Sequence, residues 1–387
     1  MTHLPPVSGP LGRDAILLRR LRHLLPAVQE RAAALDADAA PYPEADLADM
    51  AAAGLMTAPL PSELGGAGWG IEPGKATALM TALRLVGRGS LPLGRLYEGH
   101  VNALRLVMLH GNAVQRKAAA AAARDGRLFG VWNAEMPGGG TWLGPDSMLH
   151  GSKIYCSGAG LVARALITAR QGDGGPASML LLPLDTQQHR ADLAPWTAAG
   201  MRASATGHFS FEGMIVTPDM ILGEPDAYFA QPDFSAGAWR FLAVQLGGAE
   251  ALVSALRQHL RATGRGADPH QGTRFGQAVT ALETARLWVA RAAELAETGV
   301  CDAGRLLAYV DLARGAVEEA ALAVLELTQR SIGLAAQCRP SPAERISRDL
   351  ATYLRQPGPD RALMAGAAAC LQDPAEPGDI WDQDAPR

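Results

Sequence analysis

The side chains that could act as acids, bases or nucleophiles are spread along the sequence without a pattern that defines an active site. His100, His110, His208 and His259 share no spacing with a serine and an aspartate, and no GxSxG motif marks a nucleophile. The four cysteines form neither a CxxC pair nor a cluster with histidine, so the sequence predicts no metal site. Hydrolase and zinc chemistry are therefore disfavoured.

A glycine run covers residues 138–140, but it lacks the GxGxxG spacing that a dinucleotide-binding turn requires. The order of the predicted elements leads to the same conclusion, because helices are followed by strands and then by helices again. A β block between two α blocks predicts a segregated α+β architecture rather than alternating βαβ units. A doubly wound nucleotide-binding fold is therefore disfavoured.

The helices and strands are predicted from the spacing of apolar residues and from breaks at glycine and proline. Helical patterns cover residues 14–56 and 73–124 and return over residues 235–355, whereas strand-length apolar runs between glycine-rich turns occupy residues 128–216. We therefore predict an N-terminal helical domain at residues 1–125, a middle β domain at residues 126–233, and a C-terminal helical domain, a four-helix bundle, at residues 234–387.

Composition and charge exclude several classes of function. The 387 residues carry 35 basic and 39 acidic side chains, for a formal net charge of −4, and no basic stripe stands out, so we do not expect a nucleic-acid partner. The N-terminus has no basic segment followed by an apolar run, and no stretch reaches about 18 consecutive apolar residues. The sequence thus predicts a cytoplasmic protein without a membrane span.

Six segments, in order, resemble the acyl-CoA dehydrogenase family. They are MAAAGLMTAPLPSELGGAGWG (50–70), GVWNAEMPGGGT (130–141), GSKIYCSG (151–158), GMRASATGHFSFEGMIVTPDMILG (200–223), TRFGQ (273–277) and ERISRD (344–349). The second resembles the family's TEPGAGS segment, the third its GxKxWITN strand and the last its ExxxRD motif. The resemblance spans residues 45–360 and implies the three-domain flavoprotein fold around one FAD.

The resemblance also implies a chemistry, the α,β-oxidation of an acyl thioester with hydride transfer to flavin N5 after a base removes the α proton. It implies that Tyr155 packs against the isoalloxazine ring and that Ser157 lies near N5. The other reading of Tyr155, an aromatic residue in the core of a strand, stays open. Along the first flavin loop, the resemblance implies four further cofactor contacts: Trp132, Asn133, Ala134 and Thr141.

The resemblance is weaker on the phosphate side of the cofactor. The family places an arginine three residues before the phenylalanine of its FGQ motif, and this position is Gly272 here. Arg274 is a substitute, because a guanidinium fork binds phosphate, or else an ordinary solvated helix residue. Gly333 stands 15 residues before Arg348, as the family's adenine-side turn does.

The catalytic base of the family has no counterpart at either of its usual positions. One position is Pro357, and the other is Trp239, just before the matching Arg240. Asp360 lies three residues further along and either acts as the base or caps the following helix. Glu135 is expected to be structural, so the catalytic residue is unknown from the sequence.

The main functional prediction is therefore an FAD-dependent oxidoreductase, an acyl-CoA dehydrogenase-like enzyme acting on CH–CH groups, whose electron acceptor the sequence does not identify. Two alternatives stay open because the base is missing. One is a flavin-dependent monooxygenase of the same fold, since such relatives lack the glutamate. The other is a catalytically degenerate partner subunit of a heteromeric dehydrogenase. The long C-terminal helices imply a homodimer or homotetramer.

Overall fold

The computed structural model describes residues 12–37, 42–172, 174–299, 302–355 and 358–382, and the first part of the chain is helical. The five helices are α1 (Arg13–Ala37), α2 (Glu44–Ala52), α3 (Ala76–Gly89), α4 (Leu91–His110) and α5 (Ala113–Arg124). Ser90 separates α3 from α4 and caps α4 by accepting a hydrogen bond from the N–H of Leu93. Asn112 and Gln115 form a capping box that begins α5.

Two β-sheets make up the middle of the chain. The strands are β1 (Phe129–Trp132), β2 (Trp142–Leu143), β3 (Met148–His150), β4 (Ser152–Cys156), β5 (Arg164–Gln171), β6 (Ala177–Pro183), β7 (Ala191–Asp192), β8 (Gly207–Ser210), β9 (Met214–Ile215) and β10 (Ile221–Leu222). The larger sheet has the order β10–β6–β5–β2–β3–β9, and β1 pairs with β5 in parallel. The smaller sheet has the order β4–β8–β7.

The last part of the chain is helical again. It contains α6 (Asp233–Ala236), α7 (Trp239–Ala262), α8 (Pro269–Thr298), α9 (Ala303–Ile332), α10 (Pro342–Tyr353) and α11 (Pro359–Gln372). Four long helices were expected here, and α7 to α10 lie at those positions. The α+β fold class is confirmed, while the domain boundaries after residues 125 and 233 stay predictions. None of the described helices is long and apolar enough to cross a membrane.

Two glycines let α3 and α7 touch backbone to backbone. A Cβ added to Gly87 would lie 2.3 Å from the carbonyl oxygen of Val244, and one added to Gly247 would lie 2.1 Å from that of Arg84. Real Cβ atoms do not approach a carbonyl so closely, so no larger side chain fits at either position without a shift of the helices. This close contact fixes the N-terminal helices against the C-terminal ones.

The motif at residues 344–349 joins three parts of the fold. Arg348 binds Asp36 of α1 through two nitrogens and Glu344 of its own helix through two more contacts of 2.6 and 3.0 Å. Next to it, the buried Asp349 accepts a hydrogen bond of 2.6 Å from the N–H of Met201. These bonds hold α1, α10 and the loop at residues 196–201 together.

Replacing Asp349 with alanine should lower the free energy of unfolding by about 1–3 kcal/mol, because the buried N–H of Met201 loses its acceptor. Asp349→Asn keeps an acceptor and should be nearly neutral at low pH. Burial raises the pKa of Asp349 from its ordinary 3.8 to about 6. Between pH 3.8 and about 6, the folded protein therefore keeps a proton on Asp349 that the unfolded chain has released. The stabilisation from this group is lost as pH rises through about 6.

The measurement is urea unfolding of the wild type and both variants between pH 4 and 7. The asparagine variant should show a flatter dependence of stability on pH than the wild type. An alanine variant as stable as the asparagine variant would show that the Met201 hydrogen bond contributes nothing.

Candidate functional site

The backbone of β4 carries a strained aromatic residue. Its pairing with β8 shifts register between Lys153 and Cys156, and Tyr155 in this bulge has a φ of 54°. A left-handed conformation costs a non-glycine residue roughly 1–2 kcal/mol. The Tyr155 side chain is nevertheless 61% exposed and contacts only the edge of Trp196 among aromatic rings of the described chain, with centroids 6.3 Å apart. An exposed ring on strained backbone is typical of a ligand-binding wall.

A buried ion pair shapes the loop beside this wall. The Lys153 side chain is 0% exposed and binds Glu135, whose side chain is 33% exposed. Glu135 also accepts a hydrogen bond of 3.1 Å from the N–H of Thr141, so it draws the two ends of the loop at residues 135–141 together. Ala134 closes the loop onto β4 by accepting a hydrogen bond of 2.9 Å from Ile154. The expected structural role of Glu135 agrees with this geometry.

The end of β1 lies against the end of β4. The buried indole of Trp132 donates a hydrogen bond of 2.9 Å to the carbonyl oxygen of Ser157. Asn133 turns inward, because its Oδ1 accepts from the backbone and the hydroxyl of Thr168 at 2.7 and 2.9 Å. The Ser157 hydroxyl is half-buried and forms no hydrogen bond within the part of the chain that the structure describes. It is therefore available to a ligand.

Six of the eight residues expected to contact a cofactor lie on these two neighbouring strand ends and the loop between them: Trp132, Asn133, Ala134, Thr141, Tyr155 and Ser157. The Thr141 side chain is buried and its hydroxyl donates to the carbonyl of Ser152 at 3.4 Å, so it contributes to the shape of the loop. Arg274 and Gly333 lie elsewhere, on α8 and at the end of α9, and Gly333 has a φ of 76°. Their cofactor roles stay predictions.

Of the two family positions for the catalytic base, the structure describes the one at Trp239. Trp239 is fully buried, and the guanidinium of Arg240 lies over its ring at 5.3 Å. Pro357 lies outside the described residues. Asp360 is exposed in the first turn of α11, whose N-cap is Gly358, so Asp360 stabilises the helix dipole rather than forming the cap.

A histidine fixes α4 against β1. His100 is fully buried, its Nε2 lies 2.8 Å from the carbonyl oxygen of Met56, and its Nδ1 accepts a hydrogen bond from the N–H of Phe129 at 3.2 Å. Burial lowers the pKa of His100 to about 4, so the ring is neutral at pH 7. His100 is thus a structural residue that positions the preceding turns of α4 opposite β1.

Arg95 of α4 reaches the same small cavity as Trp132 and Ser157. The cavity has a volume of about 10 Å³, which is room for about one water-sized molecule, and Arg95 is the charged residue among those that line it. A cation at this point can stabilise developing negative charge, but a guanidinium does not accept a proton at neutral pH.

Behind Arg95 lies a network of charged and amide side chains that the sequence did not reveal. Arg95 binds Glu98, which is 5% exposed and also accepts a hydrogen bond from Asn102. Asn102 in turn accepts from Arg240 at 3.3 Å, and Arg240 pairs with the buried Glu297 of α8 at 3.2 Å. Each of the two carboxylates is held by an arginine.

The comparisons with known proteins place this geometry in context. Residues 21–126 match the family model described as "Acyl-CoA dehydrogenase, N-terminal domain". A dibenzothiophene monooxygenase of Rhodococcus erythropolis is 26% identical over 310 residues, which cover 69% of this chain and 70% of that protein. The mitochondrial short-chain specific acyl-CoA dehydrogenase of Homo sapiens is 27% identical over 330 residues, covering 80% and 77%.

Two solved structures resemble the whole described fold. The FMN-bound TdsC of Paenibacillus sp. A11-2 superimposes with a TM-score of 0.79 at 21% identity, covering 90% of this chain and 95% of that one. The methanesulfinate monooxygenase MsuC of Pseudomonas fluorescens gives a TM-score of 0.78 at 20% identity, with coverage of 95% and 99%. At such identities the likeness establishes the fold.

The Lys153–Glu135 pair predicts an asymmetry between two variants. Glu135→Gln leaves the buried ammonium group without a counter-charge and should cost of the order of 3 kcal/mol of unfolding free energy. Lys153→Met leaves a carboxylate that reaches water and should cost about 1 kcal/mol. Urea unfolding measures both variants, and the double variant should recover most of the loss. A methionine variant that costs as much as the glutamine variant would contradict this.

The backbone at Tyr155 gives a second prediction. Tyr155→Gly and Tyr155→Ala lose the same contact with Trp196, but only glycine relieves the positive φ. The glycine variant should therefore be more stable than the alanine variant by about 1 kcal/mol. Thermal unfolding of the two ligand-free variants measures the difference. Equal melting temperatures would show that the bulge relaxes without Tyr155.

Proposed function

The chain has the acyl-CoA dehydrogenase fold, and from that premise we propose that it is a flavin-dependent monooxygenase of this fold. The observation that carries the proposal is the charge beside Ser157. A cation, Arg95, lines the small cavity there, and both carboxylates of the network behind it are bound to arginines. Thioester dehydrogenation also needs a base to remove the α proton, and the buried Trp239 occupies one of the two family positions for that base.

The residues of the wall fit a flavin. Tyr155 and Trp196 offer an exposed aromatic surface for a planar ring, and the free hydroxyl of Ser157 offers a hydrogen bond to its edge. The loop at residues 135–141 is closed by Glu135 and Thr141, so its backbone is fixed before a ligand arrives. We propose that these elements hold the isoalloxazine ring.

When bound, a reduced flavin supplies two electrons to dioxygen, so that one oxygen atom enters the substrate and the other leaves as water. The task of Arg95 in this proposal is to stabilise negative charge at the reacting edge. Trp132 and Phe129 give the same cavity an apolar lining.

FMN is favoured over the FAD expected from the sequence. TdsC was crystallised with FMN, and this chain has Gly272 where the family's pyrophosphate arginine is expected. FMN has no pyrophosphate or adenine, so its binding does not require contacts with Arg274 or Gly333. The choice between the two flavins is directly measurable by releasing the cofactor from the purified protein.

Two other functions keep some support. Thioester dehydrogenation, the main sequence-based prediction, is favoured by the 27% identity to short-chain acyl-CoA dehydrogenase over 80% of the chain. It receives less support than monooxygenation, because no unpaired carboxylate has been identified at the site among the described residues. A degenerate partner subunit would also lack the base, and it would fail to bind flavin alone.

The homodimer or homotetramer expected from the sequence also belongs to the proposal. Apolar side chains on three C-terminal helices are exposed in the single chain: Val279, Leu287, Leu322, Leu363, Met364 and Leu371. Exposed apolar side chains on these helices are expected if the helices pack against another subunit.

The proposed function is tested by supplying the protein with FMN, NADH and a separate flavin reductase under ¹⁸O₂. We expect ¹⁸O in a product from a panel of small sulfides and indole, and no anaerobic bleaching of the flavin by butyryl-CoA. Arg95→Gln removes the positive charge, so the rate should fall by about 10²–10³-fold while the Kd for flavin changes little.

Ser157→Ala is the matched variant, because it should weaken flavin binding without removing the cation. Bleaching by butyryl-CoA with no incorporation of ¹⁸O would support a dehydrogenase instead. A colourless protein that gains flavin only with a second chain would support the partner subunit.

A further inference from the structure

A second cavity lies away from the flavin wall, between α1, the end of α3, α7 and the start of α10. It has a volume of about 660 Å³, which is within the range of small-molecule sites. Five arginines from these segments and the loop before α10 line it: Arg22, Arg88, Arg257, Arg339 and Arg345. We call this cavity the arginine groove. None of these arginines has a part in the proposed flavin site.

The arginine groove has an excess of positive charge that the described chain does not neutralise. Its lining includes two carboxylates, Asp36 and Glu344, and both are already bound through two oxygens to Arg348, which is not among the lining residues. Neither carboxylate forms an ion pair with an arginine of the groove in the part of the chain that the structure describes.

Within the described residues, four of the five guanidinium groups form no ion pair, and the fifth, Arg345, forms a long one. Arg345 is 9% exposed, and its contact to Asp349 is long, at 3.6 Å. Arg88 is half-buried, and burial lowers its pKa; Glu250, the carboxylate that acts on it, is bound to Arg84. Within the described residues, the other three form no ion pair. Arg345 is buried and Arg88 half-buried, whereas Arg22, Arg257 and Arg339 are exposed. An anion bound in the groove would relieve the repulsion between like charges such as Arg22 and Arg88.

The apolar residues that line the groove indicate which kind of anion it binds. Leu25, Ala251, Ala255 and Ile346 give the groove an apolar side, so the ligand carries a carbon skeleton as well as charge. Arginine forks match the oxygens of phosphate in pairs, and several forks around one cavity suit two or more negative charges.

We infer that the arginine groove binds an organic phosphate or pyrophosphate. The ligand's phosphate oxygens lie among Arg88, Arg257 and Arg345, and its organic part lies along α1 and α7. The site is separate from the wall at Tyr155 and Ser157, and the inference holds whether or not the proposed flavin chemistry is correct.

The test is calorimetric titration of the flavin-free full-length protein with ADP and with inorganic pyrophosphate. We expect binding with a Kd below about 1 mM that weakens as salt is raised. The double variant Arg88→Gln/Arg257→Gln should bind ADP at least tenfold more weakly. Arg330→Gln, an exposed arginine of α9 outside the groove, is the matched control and should bind as the wild type does.

Circular dichroism checks that each variant is folded. If the double variant does not fold, Arg22→Gln, at an exposed position, replaces it in the ADP titration. It should weaken ADP binding at least threefold. Absence of ADP and pyrophosphate binding, or undiminished binding by the variants, would overturn the inference. Citrate binding as tightly as ADP would overturn the assignment to phosphate.

Two further outcomes would also refute a separate site. If ADP displaces FMN from the protein, the groove belongs to the cofactor site. If the arginine substitutions change the mass of the protein in light scattering instead of its affinity for ADP, the groove is an interface between subunits.

Discussion

Lys153 places an ammonium group where water does not reach, and Glu135 is the carboxylate that pairs with it. Because an unpaired buried charge is costly, this pair leaves the loop at residues 135–141 little freedom. The loop closes on β4, and β4 in turn bulges at Tyr155 and presents its ring outward. The shape of the candidate site therefore depends on the need to pair the buried ammonium group of Lys153 with a carboxylate.

The site divides its tasks between the strands and the helices. The strands supply the wall, with Tyr155 exposed and the Ser157 hydroxyl without a hydrogen bond to the described chain, whereas α4 supplies the charge through Arg95. His100 connects the two, since its neutral ring receives the N–H of Phe129 at the start of β1. The His100 hydrogen bond thus holds α4, which carries Arg95, in a fixed position opposite β1.

The fold could be predicted from the sequence because it depends on local patterns, whereas the cofactor contacts of the wall stay predictions. Strand-length apolar runs marked β1, β4, β5, β6, β8 and β9, and the GSKIYCSG segment pointed to Tyr155 and Ser157. The other strands, β2, β3, β7 and β10, have two or three residues and are too short to show an alternation. Arg95 and Glu98 resemble an ordinary charged helix face in the sequence. Only the fold shows that Asn102 links Glu98 to Arg240 of α7, which pairs with Glu297 of α8. The arginine groove, with residues from five separate segments, has no local signal at all.

The contact between α3 and α7 has a consequence for protein engineering. Gly87 and Gly247 meet the backbone of the opposite helix, so each helix is shaped for this particular neighbour. A chimera that took its first half from a relative and kept the second half of this chain would bring a Cβ against a carbonyl wherever the donor has a larger residue. Exchange of segments among such proteins should therefore move both helices as a pair, with the crossover points outside them.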